Sequence, residues 1–107
     1  MNILFVCSRN KWRSPTGETI YNHVEGITAR SAGTEAAART RVNEKLLQWA
    51  DLICVMEQHH KKRLQQDFST LLQSKEVLVL DIPDEYQYMD EELIAMIRTS
   101  VDAYLDL

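Results

Sequence analysis

The chain has 107 residues, 45% of them apolar, a globular composition able to bury one modest core. Its formal net charge of −4 speaks against a nucleic-acid binder, which wants an uncompensated basic face. No apolar run approaches the ~18 residues of a membrane span, so neither nucleic acid nor membrane is an expected partner.

The charge is uneven. Residues 1–75 hold all but one of the 12 basic residues and fewer than half of the 16 acids, so the front of the chain suits an anionic group locally. No basic residues precede the short apolar run at the N-terminus, which therefore does not read as a signal peptide. Cys7 and Cys54 are too few for a disulfide scaffold. The expectation is a single cytoplasmic domain over 1–107 with Cys7 a free thiol.

In chain order, NILFV (2–6) is an apolar run with the length of a buried strand, ending at Cys7. Ser14 and Pro15 read as the N-cap and first residue of a helix running to about Val24, with Gly26 as its stop. ITARSAG (27–33) reads as a short strand ending in a turn, and 35–41 fits helix or loop equally. Val42, Leu46, Trp49 and Ala50 recur at helical spacing. DLICVM (51–56) is a second buried strand. An amphipathic helix follows, with His60, Leu64 and Phe68 in line. EVLVLDIP (76–83) is another strand. Asp90 caps a last helix whose stripe is Leu93, Ile97, Val101 and Tyr104. Trp49 and the methionines read as core.

Strands and helices in alternation predict an α/β three-layer sandwich: a four-stranded parallel sheet with helices on both faces. Ligands of such sheets bind at the carboxyl ends of the strands. Cys7 ends the first strand, and the segment DIPDEY (81–86) ends the last.

The stretch CSRNKWRS (7–14) therefore joins a strand end to a helix start. Amides there, and the helix dipole, favour an anion. Arg13 adds a planar fork that can hold two phosphate oxygens. The same positive field favours the Cys7 thiolate, the nucleophilic form. Ser14 can donate to it. One loop can thus bind a tetrahedral oxyanion and attack its central atom. A phosphate ester also needs an acid for its leaving oxygen. Asp84 is the better placed carboxyl, with Asp81 as the alternative.

These residues resemble the low-molecular-weight protein tyrosine phosphatases. LFVCSRNKWRSPTGE is similar to that family's phosphate-binding signature, SAGT (31–34) and ADLICVMEQHHKKRL (50–64) to further motifs, and IPDEY (82–86) to its acid loop. The resemblance implies a metal-independent hydrolase without cofactor, acting through a phosphocysteine on a phosphorylated protein or aryl phosphate, with inorganic phosphate as product. It implies Cys7 as nucleophile, Arg13 as phosphate clamp and Asp84 as acid. Asn10 would shape the loop in the left-handed conformation, with Ser31 hydrogen-bonded to it, and Ser14 would stabilise the thiolate. The family often has a second cysteine where this chain has Trp12, a proline where it has Glu85, and a longer segment after SAGT.

Around this centre, Ser8, Arg9, Asn10, Lys11 and Trp12 are expected to contact the substrate. Trp12 either stacks on the leaving group or packs on a helix. Arg9 and Lys11 either enrich anions or are simply solvated. Tyr86 is expected to line the pocket, with Tyr88 as a second possibility. Cys54 reads as core, and His59 and His60 as a solvated helix face without metal-ligand spacing. Rival functions are a phosphate- or phosphotyrosine-binding module and a phosphocysteine carrier. An arsenate reductase would need more cysteines than these two.

Overall fold

Four parallel strands in the order β2-β1-β3-β4 form the centre of the computed structural model, which describes residues 1–107. The strands are β1 (Asn2–Cys7), β2 (Thr28–Gly33), β3 (Leu52–Val55) and β4 (Glu76–Val79). The helices are α1 (Arg13–Tyr21), α2 (Glu44–Trp49), α3 (Gln58–Asp67), α4 (Ser69–Leu72) and α5 (Glu91–Leu105). The predicted three-layer sandwich is the architecture found.

The alternation of side chains along β1 explains the layers. Ile3, Phe5 and Cys7 face one core, which includes Ile20 and Tyr21 of α1 and Leu93, Ile97 and Val101 of α5. Leu4 and Val6 face the other, closed by Leu47 of α2, Leu64 of α3 and Leu72 of α4. Both faces of β1 are buried, so its apolar run has no polar interruption. The register pairs Cys7 with Gly33 of β2 and Val6 with Val55 of β3. From β1 the chain moves outward to β2, then returns to add β3 on the other side. The carboxyl end of β1 is therefore the topological switch point of the sheet, where a crevice opens.

Several expectations change in detail. Helix α1 begins at Arg13 and ends at Tyr21, and its N-cap, Trp12, makes no side-chain capping bond. Ser14 is inside the first turn, its hydroxyl bonded to Cys7 Sγ and Asn10 Nδ2. Residues 35–41 form turns and loop that fold back on the 8–10 backbone. Tyr104 is 45% exposed and is not part of the α5 stripe. Trp49 is half-buried under the Arg30 guanidinium, 4.6 Å from its ring, and of the methionines only Met56 is buried. Asp90 caps α5 as expected, accepting from Glu92 and Leu93 amides at 2.9 and 3.3 Å. No helix is long and apolar enough to cross a membrane.

Candidate active site

Residues 8–12 connect β1 to α1 in a loop whose hydrogen bonding is one-sided. The carbonyls of Cys7, Ser8 and Arg9 accept from the amides of Thr34, Glu35 and Arg39, each at 3.0 Å. The Asn10 carbonyl accepts from Arg39 Nε at 3.3 Å. The amide N–H groups of Ser8, Arg9, Asn10, Lys11 and Trp12 donate to no backbone partner. The loop thus commits its acceptors to the neighbouring segment and keeps its donors for an anion.

Asn10 makes this curvature possible. It is fully buried with φ 56°, the left-handed region that asparagine tolerates. Its Nδ2 donates to Ser14 Oγ at 2.9 Å, while its Oδ1 has no partner. Gly33 makes the second contribution. A Cβ there would lie 2.5 Å from the Ser8 carbonyl and 2.9 Å from the Asn10 amide, so only glycine lets β2 approach the loop.

Cys7 is buried at the base of the loop, its Sγ 2.9 Å from Ser14 Oγ. The Ser14 hydroxyl has one proton and two acceptors in reach, Cys7 Sγ and the Ala32 carbonyl at 3.3 Å. With the thiol protonated, the sulfur can donate to Ser14 and Ser14 to Ala32. With the thiolate, Asn10 still donates to Ser14, and the serine proton turns to the sulfur. The Asn10–Ser14–Cys7 chain is thus prepared for a negative sulfur.

Arg13 is buried, and its guanidinium is fixed from behind. Nη1 donates to Glu57 Oε1 and to the Ile82 carbonyl, each at 2.8 Å. Nε lies 3.7 Å from Asp84 Oδ1. Nη2 makes no hydrogen bond within the chain. Partial burial works to raise the Glu57 carboxyl, but the hydrogen bond from His59 and the charge of Arg13 outweigh it, leaving it below its ordinary range. Glu57 is therefore an anion whose role here is to orient Arg13.

His60 lies beneath the same loop and is fully buried. Its Nδ1 accepts from the Glu57 amide at 3.0 Å, so its Nε2 carries the proton and donates to Ser8 Oγ at 2.8 Å. Burial, followed by the charges of His59 and Arg13, pushes its pKa down to about 3. The imidazole is a neutral bridge between the Glu57 anchor of Arg13 and the 8–12 loop.

A cavity of about 390 Å³ opens over this centre, lined by Cys7, Ser8, Arg9, Lys11, Trp12, Arg13, Glu35 and Asp84. Of the two candidate acids, Asp84 borders it and Asp81 does not. Arg9 pairs with Glu35 at 3.3 Å on the exposed rim. Lys11 lies over the Trp12 ring, 4.6 Å from its centroid. Trp12 thus stands at the mouth rather than in a helix interface.

Three expectations are corrected. Ser31 does not reach Asn10; its hydroxyl is taken by the Glu18 carboxylate, and Ser14 holds Asn10 instead. Tyr86 does not line the Cys7 cavity, because it packs against the α1–α5 core. Tyr88 borders the neighbouring groove, its hydroxyl 2.7 Å from Thr19 Oγ1. His60 is not on a solvated face. Glu57 and His60 were missed as site residues, although Glu57 lies just past Met56 at the carboxyl end of β3, the same edge as Cys7. Cys54 is core, with its thiol pushed up to about 12 by burial. No group of three or more His, Cys, Asp or Glu side chains is placed to hold a metal ion.

Neither a protein-family model nor a curated protein matches the chain. Solved structures do. The low-molecular-weight protein tyrosine phosphatase of T. tengcongensis superposes with a TM-score of 0.78 at 21% identity, over 99% of this chain and 98% of that one. The Vibrio vulnificus protein Wzb, in complex with benzylphosphonate, gives 0.77 at 23% identity over 98% and 97%. The YwlE arginine phosphatase of Geobacillus stearothermophilus gives 0.72 at 18% identity over 98% and 94%. The chain has the fold that these three proteins share, over nearly its whole length.

Proposed function

We propose that this chain, folded like a low-molecular-weight phosphatase, is a single-domain, cysteine-dependent phosphomonoester hydrolase working through a phosphocysteine. The observation that carries the reading is the one-sided loop: its amides are unclaimed, it shares one cavity with Cys7 and Arg13, and the Cys7 sulfur has a hydroxyl ready to stabilise its anion.

The phosphate enters with its non-bridging oxygens on the 8–12 amides and on Arg13. Cys7 attacks phosphorus in line, and the P–O bond to the leaving group breaks as the S–P bond forms. Asp84, at the cavity rim beside Arg13, gives its proton to the departing oxygen. As a carboxylate it then takes a proton from the water that attacks phosphorus, releasing inorganic phosphate and the Cys7 thiolate. Donors fixed where charge develops supply most of the acceleration. The benzylphosphonate bound by the Wzb relative supports an aryl phosphate, and phosphotyrosine in a protein is the natural case. The arginine phosphatase among the relatives makes phosphoarginine the competing substrate. A cytoplasmic location fits the free thiol on which the chemistry depends.

The test is hydrolysis of p-nitrophenyl phosphate between pH 4.5 and 8 with EDTA present. Cys7→Ser should abolish turnover, and Asp84→Asn should lower kcat by about a hundredfold or more. Phosphate or vanadate binding without turnover by the unmodified chain would instead make it a phosphate-reading module. A stable phosphocysteine would make it a carrier.

A further inference from the structure

A second, larger cavity of about 910 Å³ adjoins the first. Arg9, Lys11 and Trp12 line both, so a polypeptide whose phosphorylated side chain enters the Cys7 cavity passes over Trp12 straight into this groove. The groove is more than twice as large as the catalytic cavity, which suits a flanking segment rather than a single group.

Its walls are cationic in a chain of net charge −4. Arg9, Lys11 and Arg39 face one carboxylate, Glu18, which already receives the Ser31 hydroxyl. Arg9 has Glu35 as a partner on the exposed rim. Lys11 lies over Trp12, and Arg39 donates to the Asn10 carbonyl; neither forms an ion pair with a carboxylate of the chain. Trp12 and Tyr88 add aromatic surface, and the Thr19 contact fixes the Tyr88 ring. Two unpaired cations beside fixed aromatic surface match carboxylates interleaved with apolar side chains.

We propose that this groove binds an acidic segment flanking the phosphorylated residue, so that the protein selects acidic phosphoprotein sites. The proposal rests on the phosphatase reading and deepens it.

Ala37 provides the test. It is exposed on the groove wall in the 35–41 loop and does not border the Cys7 cavity. Fluorescent phosphotyrosyl peptides flanked by glutamates, glutamines or lysines are compared with p-nitrophenyl phosphate, which does not reach the groove. The glutamate peptide should exceed the glutamine peptide in kcat/KM by about threefold to tenfold, the range open to exposed charge contacts. The gap should narrow as salt rises. Ala37→Glu should remove the preference and Ala37→Lys widen it, while p-nitrophenyl phosphate turnover stays unchanged in both.

Equal kcat/KM for the two peptides, or a preference for lysine, in a protein that hydrolyses p-nitrophenyl phosphate would overturn the groove and leave the phosphatase intact. Absence of all turnover would sink the phosphatase reading instead. The groove is then decided by anisotropy with the same peptides. Tighter binding of the glutamate peptide, weakened by Ala37→Glu, upholds it, and indifference to flanking charge rejects it.

Discussion

His60 shows how much one side chain can link. It joins the Glu57 backbone to the Ser8 hydroxyl and stays neutral to do so. An imidazole free in the unfolded chain titrates near 6.5, and the folded one near 3. Between these values the unfolded state binds the proton and the folded state does not. The His60 contribution is therefore fully present above about pH 6.5 and is lost as pH falls toward 3, by at most ~1.4 kcal/mol per unit. The depressed Glu57 carboxyl adds a slope of the same sign only below its unfolded value of 4.5. Urea unfolding between pH 5 and 7.5 thus isolates the histidine. His60→Asn, whose amide can still accept from Glu57, should be less stable at pH 7.5 but show a flatter acid slope. Parallel slopes for the two proteins would mean that His60 is not the titrating group.

At the scale of elements, the active site depends on how β2 and its following loop close on the loop after β1. The contact works because Gly33 presents no side chain to the Ser8 carbonyl. Gly33→Ala would force a Cβ against backbone that cannot rotate away. The expected loss is ~1–3 kcal/mol in urea unfolding, the usual range for overpacking. Because the displaced atoms belong to the phosphate loop, inhibition by phosphate should weaken as well. Lost stability with unchanged phosphate inhibition would show that the strain is absorbed in β2. Helix α1 illustrates the same dependence. Its first turn has no serine cap, Ser14 being bonded to the sulfur, and its Tyr21 stacks on Phe5 of β1 to hold the helix to the sheet.

For the whole molecule, an anion bound on the proposed reading would tie β1, α1, the segment after β3 and the 80–84 segment together, because Arg13 already bridges Glu57 and Ile82. A ligand that binds only the folded state stabilises it by mass action. Vanadate or phosphate at 100 times its dissociation constant should add ~2.7 kcal/mol and raise Tm on the order of 10 °C. The shift should vanish in Arg13→Ala. A shift of equal size in that variant would place the anion elsewhere.

The four strands, the main helices between them, the parallel sheet and the cysteine–arginine loop were legible in the sequence because each rests on local pattern, whereas the short α4 was not. A run such as NILFV is apolar from Ile3 to Val6, and a strand end meeting a helix start favours an anion through local amides and the helix dipole. The Asp90 cap was legible for the same reason. The partners of these groups were not. Ser14 was legible as a donor to Cys7, but its bond from Asn10 and the loss of its capping role were not. Ser31 was assigned from the family resemblance and Tyr86 from its place after the last strand, yet Glu18 captures the first and the α1–α5 core the second. His60 lies in a polar run that reads as solvated, and its burial follows from the packing of α3 beneath a loop 52 residues earlier. Hydrophobic period and turn chemistry act between neighbours, so sequence alone determined them. A hydrogen bond between distant segments goes to whichever partner folding brings within 3 Å, and that only the tertiary structure decided.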